Sequence, residues 1–384
     1  MSLPAATDIL FVSNGHGEDA IAASILDVLA PDPERRARIA AWPQVGAGTR
    51  YLDRSIQIIG PSQSLPSEGF GTVSWGNFLR DLKAGFVGSY LKQIRFARTL
   101  RGNRAVMVAI GDVVPLAAGV LSGLKTIYYS APKSAHYGGY DGHGGHERAL
   151  MARCAEVFTR DALTADRLNK RNVSAQFLGN PVMDQVGGAP QPALRPQGRT
   201  VIALLPGSRA DTATNTALLL TGLSAADTPV HGLIAAHDGF DPDSLRLPPG
   251  WTVTGNALTH DSGATGEVLK HKFSDILASS DIAVGMAGTA NEQAAGLGLP
   301  LIALPGAGSQ GPAFHRMKAR YFGKAAWSIP SDPHRLGQAI DALINDPERC
   351  RDMGQAGKAL MGPPGGSAAI AKIIAHHAGW ETPK

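Results

Sequence analysis

Short apolar runs recur along this chain, each followed by a glycine-, asparagine- or proline-containing turn and then by apolar residues at helical spacing. That alternation constrains the fold more than any other feature. A strand, a helix and a second strand close as a parallel pair with the helix on one face, in right-handed βαβ units. Residues 8–13 (DILFVS) read as the first buried strand, with a helix from about residue 19 to 30 that places Ile21, Ile25, Val28 and Leu29 on one face, ahead of Pro31. Further strands are expected at 56–59, 106–110, 126–130, 157–159 and 176–178. At 187–198 (GGAPQPALRPQG) the periodicity stops, and the alternation then restarts. Strands are expected at 201–205, 230–235, 251–254, 282–284, 299–304 and 326–329, with helices at 273–279, 290–297 and 312–322. The tail from Asp332 is helical in three pieces, divided at Pro347 and at Pro363-Pro364. The expected class is α/β, with two doubly wound parallel-sheet domains facing a cleft. Their bounds are 1–186 and 199–362, joined by a link at 187–198, and a last helix at 363–384 is free to cross back to the first domain. Ligands of such sheets bind beyond the carboxyl ends of the strands.

Composition removes several classes. Charged residues make up 18% of the chain, against roughly 25% in an average soluble domain, which suits many short turns around buried elements. The two cysteines, Cys154 and Cys350, are far apart and form no CxxC, so a disulfide framework and a zinc ribbon are both excluded. The N-terminal MSLPAATDILFVSN has no basic region leading into a long apolar stretch, so a cytosolic location is expected. Residues 105–124 are long and apolar enough to suggest a membrane span, but Asp112 and Pro115 interrupt them. A charge at the bilayer centre costs about 2.5–3.5 kcal/mol. A strand, a turn at Asp112 and a helix begun near Pro115 explain the same letters without that cost.

Charge is unevenly spread. Arg80, Lys83, Lys92, Arg95, Arg98, Arg101 and Arg104 lie within 79–104 beside one acid, Asp81, and the rest of the chain is slightly acidic. Leu79, Leu82, Phe86, Tyr90, Ile94 and Ala97 recur there at helical spacing. A basic amphipathic stretch of this kind suits an anionic membrane surface, and a solvated surface helix has the same pattern. Nucleic acid is not expected, since no RNA-binding aromatic motif or zinc module accompanies the charge.

Five turns carry candidate chemistry. After the first strand come Asn14, Gly15, His16, Gly17 and Glu18. The glycines allow a sharp turn and close ligand approach, and His16 can act as acid, base or hydrogen-bond donor. Asp112 follows the strand at 106–110, and partial desolvation there would raise its pKa and make it a better base. Its alternative role is to cap the next helix. In the second half Gly207, Ser208 and Arg209 offer close backbone approach, a hydroxyl and a bidentate fork for phosphate. Gly288 and Thr289 open a helix whose amides suit a diphosphate, Glu292 can accept two ribose hydroxyls, and Gln310 lies in a further glycine turn. The glycine-rich stretch 133–147 contains His136, His143, His146 and Glu147, but it reads as a mobile lid and no metal is expected.

The blocks LLPGSR (204–209), AGTANEQAAGLGLP (287–300) and FLGNPVMD (177–184) resemble those of the lipid-A-disaccharide synthase family and of proteins related to it. Gly111-Asp112 falls where that family has its IDAP block, and Tyr129-Ser130-Ala131-Pro132 is similar to its YVSPS block. The family's GEASGD loop is replaced by NGHGED, and its His-Pro by Asn180-Pro181. The resemblance implies two Rossmann-like domains of the GT-B type and a glycosyltransferase using a UDP-sugar, with a glucosamine derivative as the sugar. It implies a lipid or lipid-phosphate acceptor at the inner membrane face, the protein being peripheral there. Asp112 would be the base with His16 assisting. Gly207, Ser208, Arg209, Gly288, Thr289, Glu292 and Gln310 would hold the donor without a cofactor or metal. Two other classes share the architecture: a UDP-sugar 2-epimerase and a non-catalytic nucleotide-sugar or lipid-binding protein.

Overall fold

The computed structural model describes residues 3–63, 86–138, 142–207, 211–237, 240, 245–307 and 311–381. The chain divides into two compact units: Met1–Gln185 with Pro363–Lys384, and Val186–Gly362.

The first unit holds a six-stranded parallel sheet in the order β3-β2-β1-β4-β5-β6. Its strands are β1 (Ile9–Ser13), β2 (Ile39–Pro43), β3 (Gln57–Ile58), β4 (Val106–Gly111), β5 (Lys125–Ser130) and β6 (Glu156–Thr159). The chain runs outward from β1 through β2 to β3, then returns to β4 on the other side. This places the reversal of strand order between β1 and β4, where Ser13 is in register with Ile110. Helix α1 (His16–Leu29) starts three residues earlier than periodicity suggests, because extended Gly15 is its N-cap. It buries Ile21, Ile25, Leu26 and Leu29 on one face of the sheet. Helix α2 (Pro33–Ala37) is capped by Asp32, and α3 (Thr49–Leu52) is a single turn. Helix α4 (Phe86–Thr99) covers the opposite face through Phe96 and Ala97.

The segment with a span-like composition is β4 followed by α5 (Val113–Ser122). No helix among the described residues is long and apolar enough to cross a membrane. Helices α6 (Gly145–Met151) and α7 (Ala162–Asn169) flank β6. In this unit two strand expectations change. The run at 39–43, unassigned in the sequence, forms β2, and 176–178 contributes only a single bridge from Gln176 to Phe158.

The second unit holds an eight-stranded sheet in the order β14-β13-β12-β7-β8-β11-β10-β9. Six strands are mutually parallel: β7 (Thr200–Leu205), β8 (Val230–Ala236), β11 (Thr265–Lys270), β12 (Ile282–Gly285), β13 (Leu301–Ala303) and β14 (Ala326–Ser328). Strands β9 (Trp251–Thr254) and β10 (Ala257–His260) add an antiparallel edge, joined by a Gly255-Asn256 turn. Strand order reverses between β7 and β12. The helices are α8 (Thr212–Ser224), α9 (Phe273–Ser279), α10 (Thr289–Leu297), α11 (Pro312–Phe322), α12 (Pro333–Ile344) and α13 (Pro347–Met361). The proline-rich stretch 187–198 lies along this unit. Its Arg195 bonds Asp281 at 2.8 Å, and the amide of Gln191 donates to Ser279 Oγ at 2.9 Å.

The last helix, α14 (Gly366–Ala378), packs in the first unit, where Ile370, Ala371, Ile374 and Ala375 join the core around α1. Burying each isoleucine contributes about 1.5–3 kcal/mol. The block FLGNPVMD seats this helix. Asp184 accepts from the amides of Gly365 (2.5 Å) and Ser367 (2.6 Å), and a side chain on Gly179 would collide with the backbone of Gly366. Trp380 closes the end by donating to Asp8 at 2.8 Å.

Candidate functional site

In the first unit, the turns after β1 and β4 meet where the strand order reverses. Asn14 Nδ2 donates to Asp112 Oδ1 at 2.7 Å, and the amide of Val114 donates to the same oxygen at 2.8 Å. Asp112 therefore caps α5 and is oriented by Asn14 at once. Gly111, at φ +139, cannot be replaced simply, because a Cβ there would collide with Asn14 Oδ1. Burial raises the pKa of Asp112 above the ordinary carboxylate value, although its two hydrogen bonds and Lys133 oppose the shift.

Glu18 is more strongly tuned. It lies in the first turn of α1 with its carboxyl folded over Gly15, where a Cβ would come 2.5 Å from Oε2. Burial pushes it up from 4.5 to about 7, and the charges of Asp112 and Asp19 push the same way, against its own backbone hydrogen bond and Arg160. Asp19 is fully buried, accepts from Ser13 Oγ at 2.6 Å, and also has a raised pKa through desolvation. Ser13 is further linked to Tyr51 at 2.7 Å. His16 occupies the exposed first position of α1, its ring beside Gly46, and Gly17 follows it within the helix.

Of the glycine-rich stretch, residues 139–141 lie outside the described residues, and 142–147 are not free as a lid would be. His143 is buried with Nε2 2.8 Å from Ser130 Oγ, and Arg148 bonds its carbonyl. Glu147 receives Lys133 Nζ at 2.6 Å on both oxygens and the Gly144 amide at 2.8 Å. Burial would raise its pKa, but those partners hold it below the ordinary value. Residues 142–147 are thus pinned to β5 and α6 rather than left free. Among the described residues no three His, Cys, Asp or Glu side chains converge as a metal site would require.

The second unit repeats the arrangement between β7 and β12. Gly207 follows β7 in the left-handed region (φ +94), and Gly288 and Thr289 open α10, which has no side-chain cap. Thr289 is exposed in that first turn. Asn215, on α8, staples two of the turns: it donates to the Pro206 carbonyl at 2.8 Å and accepts from the Ala307 amide at 3.1 Å. Nothing in the sequence motifs singled it out. Asn291 fills the space beside Gly285, where a Cβ would collide with Oδ1. Glu292 is buried and paired with Lys318 at 2.5 Å. Ser208, Arg209 and Gln310 lie outside the described residues.

On α4, Leu91, Lys92, Arg95 and Arg98 face outward, continued by Arg101 and Arg104. Of the expected apolar stripe, Tyr90 and Ile94 turn the other way and line a narrow crevice with Val114, Ala117 and Leu121. Residues 79–85 of the basic segment lie outside the described residues.

Two parallel-sheet α/β units, each with a turn cluster where its strand order reverses, define the chain as having the GT-B fold. Solved structures match it along nearly their whole lengths. The S. aureus MnaA–UDP structure is 14% identical, with a TM-score of 0.60, over 98% of this chain and 98% of that one. CalG4, the calicheamicin glycosyltransferase, is 15% identical with a TM-score of 0.58, over 97% and 98%. The Neisseria meningitidis UDP-GlcNAc 2-epimerase bound to UDP-GlcNAc is 15% identical with a TM-score of 0.53, over 96% and 99%. The fold is therefore one that glycosyltransferases and UDP-GlcNAc 2-epimerases share. No model of a known protein family matches the sequence, and no curated protein does.

Proposed function

We propose that the chain is a glycosyltransferase that moves a sugar of the glucosamine kind from a UDP-sugar to a lipid or lipid-phosphate acceptor. The observation that carries this reading is the carboxylate pair of the first unit, with Glu18 tuned to about 7 near an oriented Asp112. Transfer needs a base for the acceptor hydroxyl and stabilisation of charge on the departing diphosphate. Oδ1 of Asp112 is occupied by Asn14 and Val114, which leaves Oδ2 to take the proton. Glu18, tuned to the operating pH, is the natural relay for that proton. His16 assists from the exposed first turn of α1. In the second unit, the uncapped amides of α10, the Thr289 hydroxyl and the turn Gly207–Ser208–Arg209 would hold the diphosphate, with Glu292 at the ribose and Gln310 completing the set. The outward cations of α4 would dock the protein peripherally on the inner face of the cytoplasmic membrane, each contributing about 1 kcal/mol near an anionic surface.

A second reading is a UDP-sugar 2-epimerase, which would use several carboxylates at one sugar. Glu18 feels the charges of both Asp19 and Asp112, which favours it. Incubation with a panel of UDP-sugars and a total lipid extract, read by mass spectrometry, separates the two. Transfer of sugar to lipid supports the first reading. Interconversion of the free UDP-sugar without lipid replaces it with the second. Retained UDP binding with neither reaction points to a binding protein.

A further inference from the structure

Resting on the nucleotide site just assigned to the second unit, we propose that Lys318 is a positioning residue of that site, its ammonium cancelling the charge of Glu292 so that a diphosphate is accepted at α10. Glu292 lies in the first turn of α10 and is 4% exposed. A bare carboxylate there would repel the phosphates that the helix amides attract. Lys318 comes from α11 and places Nζ 2.5 Å from Glu292 Oε1. Its side chain is 13% exposed, and the ammonium lies over the rings of Phe314 (5.6 Å) and Tyr321 (5.1 Å). Two aromatic faces and one carboxylate leave this cation little freedom to swing toward solvent.

Stability alone gives little reason for such a pair. Buried ion pairs are often matched or bettered by apolar residues of the same volume. Their charges matter where a charged ligand arrives, and the first turn of an uncapped helix beside a reversal of strand order is such a place. The pair presents a neutral surface to the ligand while keeping a carboxylate available to a ribose.

The test compares UDP with uridine, which shares the base and ribose but has no phosphate. Dissociation constants for both are measured by calorimetry and competition in wild type, Lys318→Met, Glu292→Gln and the double variant. A change of one unit of charge near the phosphates, in a medium of intermediate dielectric, changes affinity about tenfold. The preference for UDP over uridine should fall about that much in Lys318→Met, rise in Glu292→Gln, where the carboxylate no longer offsets the cation, and return close to wild type in the double variant. Loss of a ribose contact, or a general loosening of the site, moves both ligands together and leaves the ratio unchanged. An unchanged ratio in both single variants overturns the proposal even where absolute affinities drop. If Lys318→Met does not fold, Glu292→Gln decides by itself, and a ratio that stays flat or falls there also overturns the proposal. Wild-type protein that binds neither compound removes the nucleotide site, and the role of Lys318 with it. Binding of UDP with a flat ratio removes only the role of Lys318.

Discussion

Replacing Glu18 with Gln should make the first unit more stable and the protein less active, and the gain in stability should depend on pH. Burial and the neighbouring carboxylates lift Glu18 from 4.5 to about 7 in the folded chain. The folded state therefore holds this proton more tightly than the unfolded state does. The contribution is fully present below about pH 4.5 and is lost as pH rises toward 7. A tenfold difference in proton affinity between the two states corresponds to about 1.4 kcal/mol, so the wild type forgoes roughly 3 kcal/mol by pH 8. A Gln side chain has the shape of protonated Glu and no charge to desolvate, so it avoids this loss. For a unit of about 200 residues, 1 kcal/mol moves the melting temperature by about 2–4 °C, which predicts a gain of roughly 6–12 °C at pH 8. Melting curves of wild type and Glu18→Gln across pH 4 to 8.5 provide the assay. They should coincide at the acid end and separate through the interval between 4.5 and about 7. A gap that is the same at every pH, or no gap at pH 8, would refute the placement of Glu18 in a desolvated carboxylate cluster. Loss of turnover alongside the stability gain would identify the strain as functional.

Three further outcomes are expected. Asp112→Asn should lower turnover by about 10²–10⁴-fold with UDP affinity unchanged, because Asn still caps α5 but cannot take a proton; near-normal turnover would reduce Asp112 to a cap. Asp184→Ala removes two charge-assisted bonds to the start of α14 and should destabilise the first unit by about 2–3 kcal/mol, with faster amide exchange confined to 365–378; unchanged exchange there would contradict the anchoring role. Reversing Arg95, Arg98 and Arg101 to Glu should abolish sedimentation with anionic vesicles and leave UDP binding intact, and 1 M salt should weaken wild-type docking as the screening length falls to about 3 Å; wild type indifferent to such vesicles would favour a soluble acceptor.

The alternation of apolar runs and helical periodicity is enough to determine the class of fold, because strand and helix periods depend on local spacing alone. The helices at Phe273–Ser279 and Pro312–Phe322 and the breaks at Pro347 and Pro363 are legible for that reason. Asp112 and Glu18 are legible as site candidates because each follows a strand. Their relation is not, since Asn14 and Asp112 are 98 residues apart and only the β1–β4 pairing brings them together. The same holds for Arg160, which is buried near Glu18. It holds too for Lys318, whose importance lies wholly in its partner. The histidine- and glycine-rich stretch looks mobile by composition, but the buried bonds of His143 and Glu147 pin its described part at 142–147, and composition cannot report a bond to a distant strand. Sequence spacing determined which residues stand at the carboxyl ends of strands. Tertiary packing decided their burial and charge partners, and therefore which of them can hold or release a proton near neutral pH. The reason is that desolvation and Coulomb interaction depend on distance through space and not along the chain.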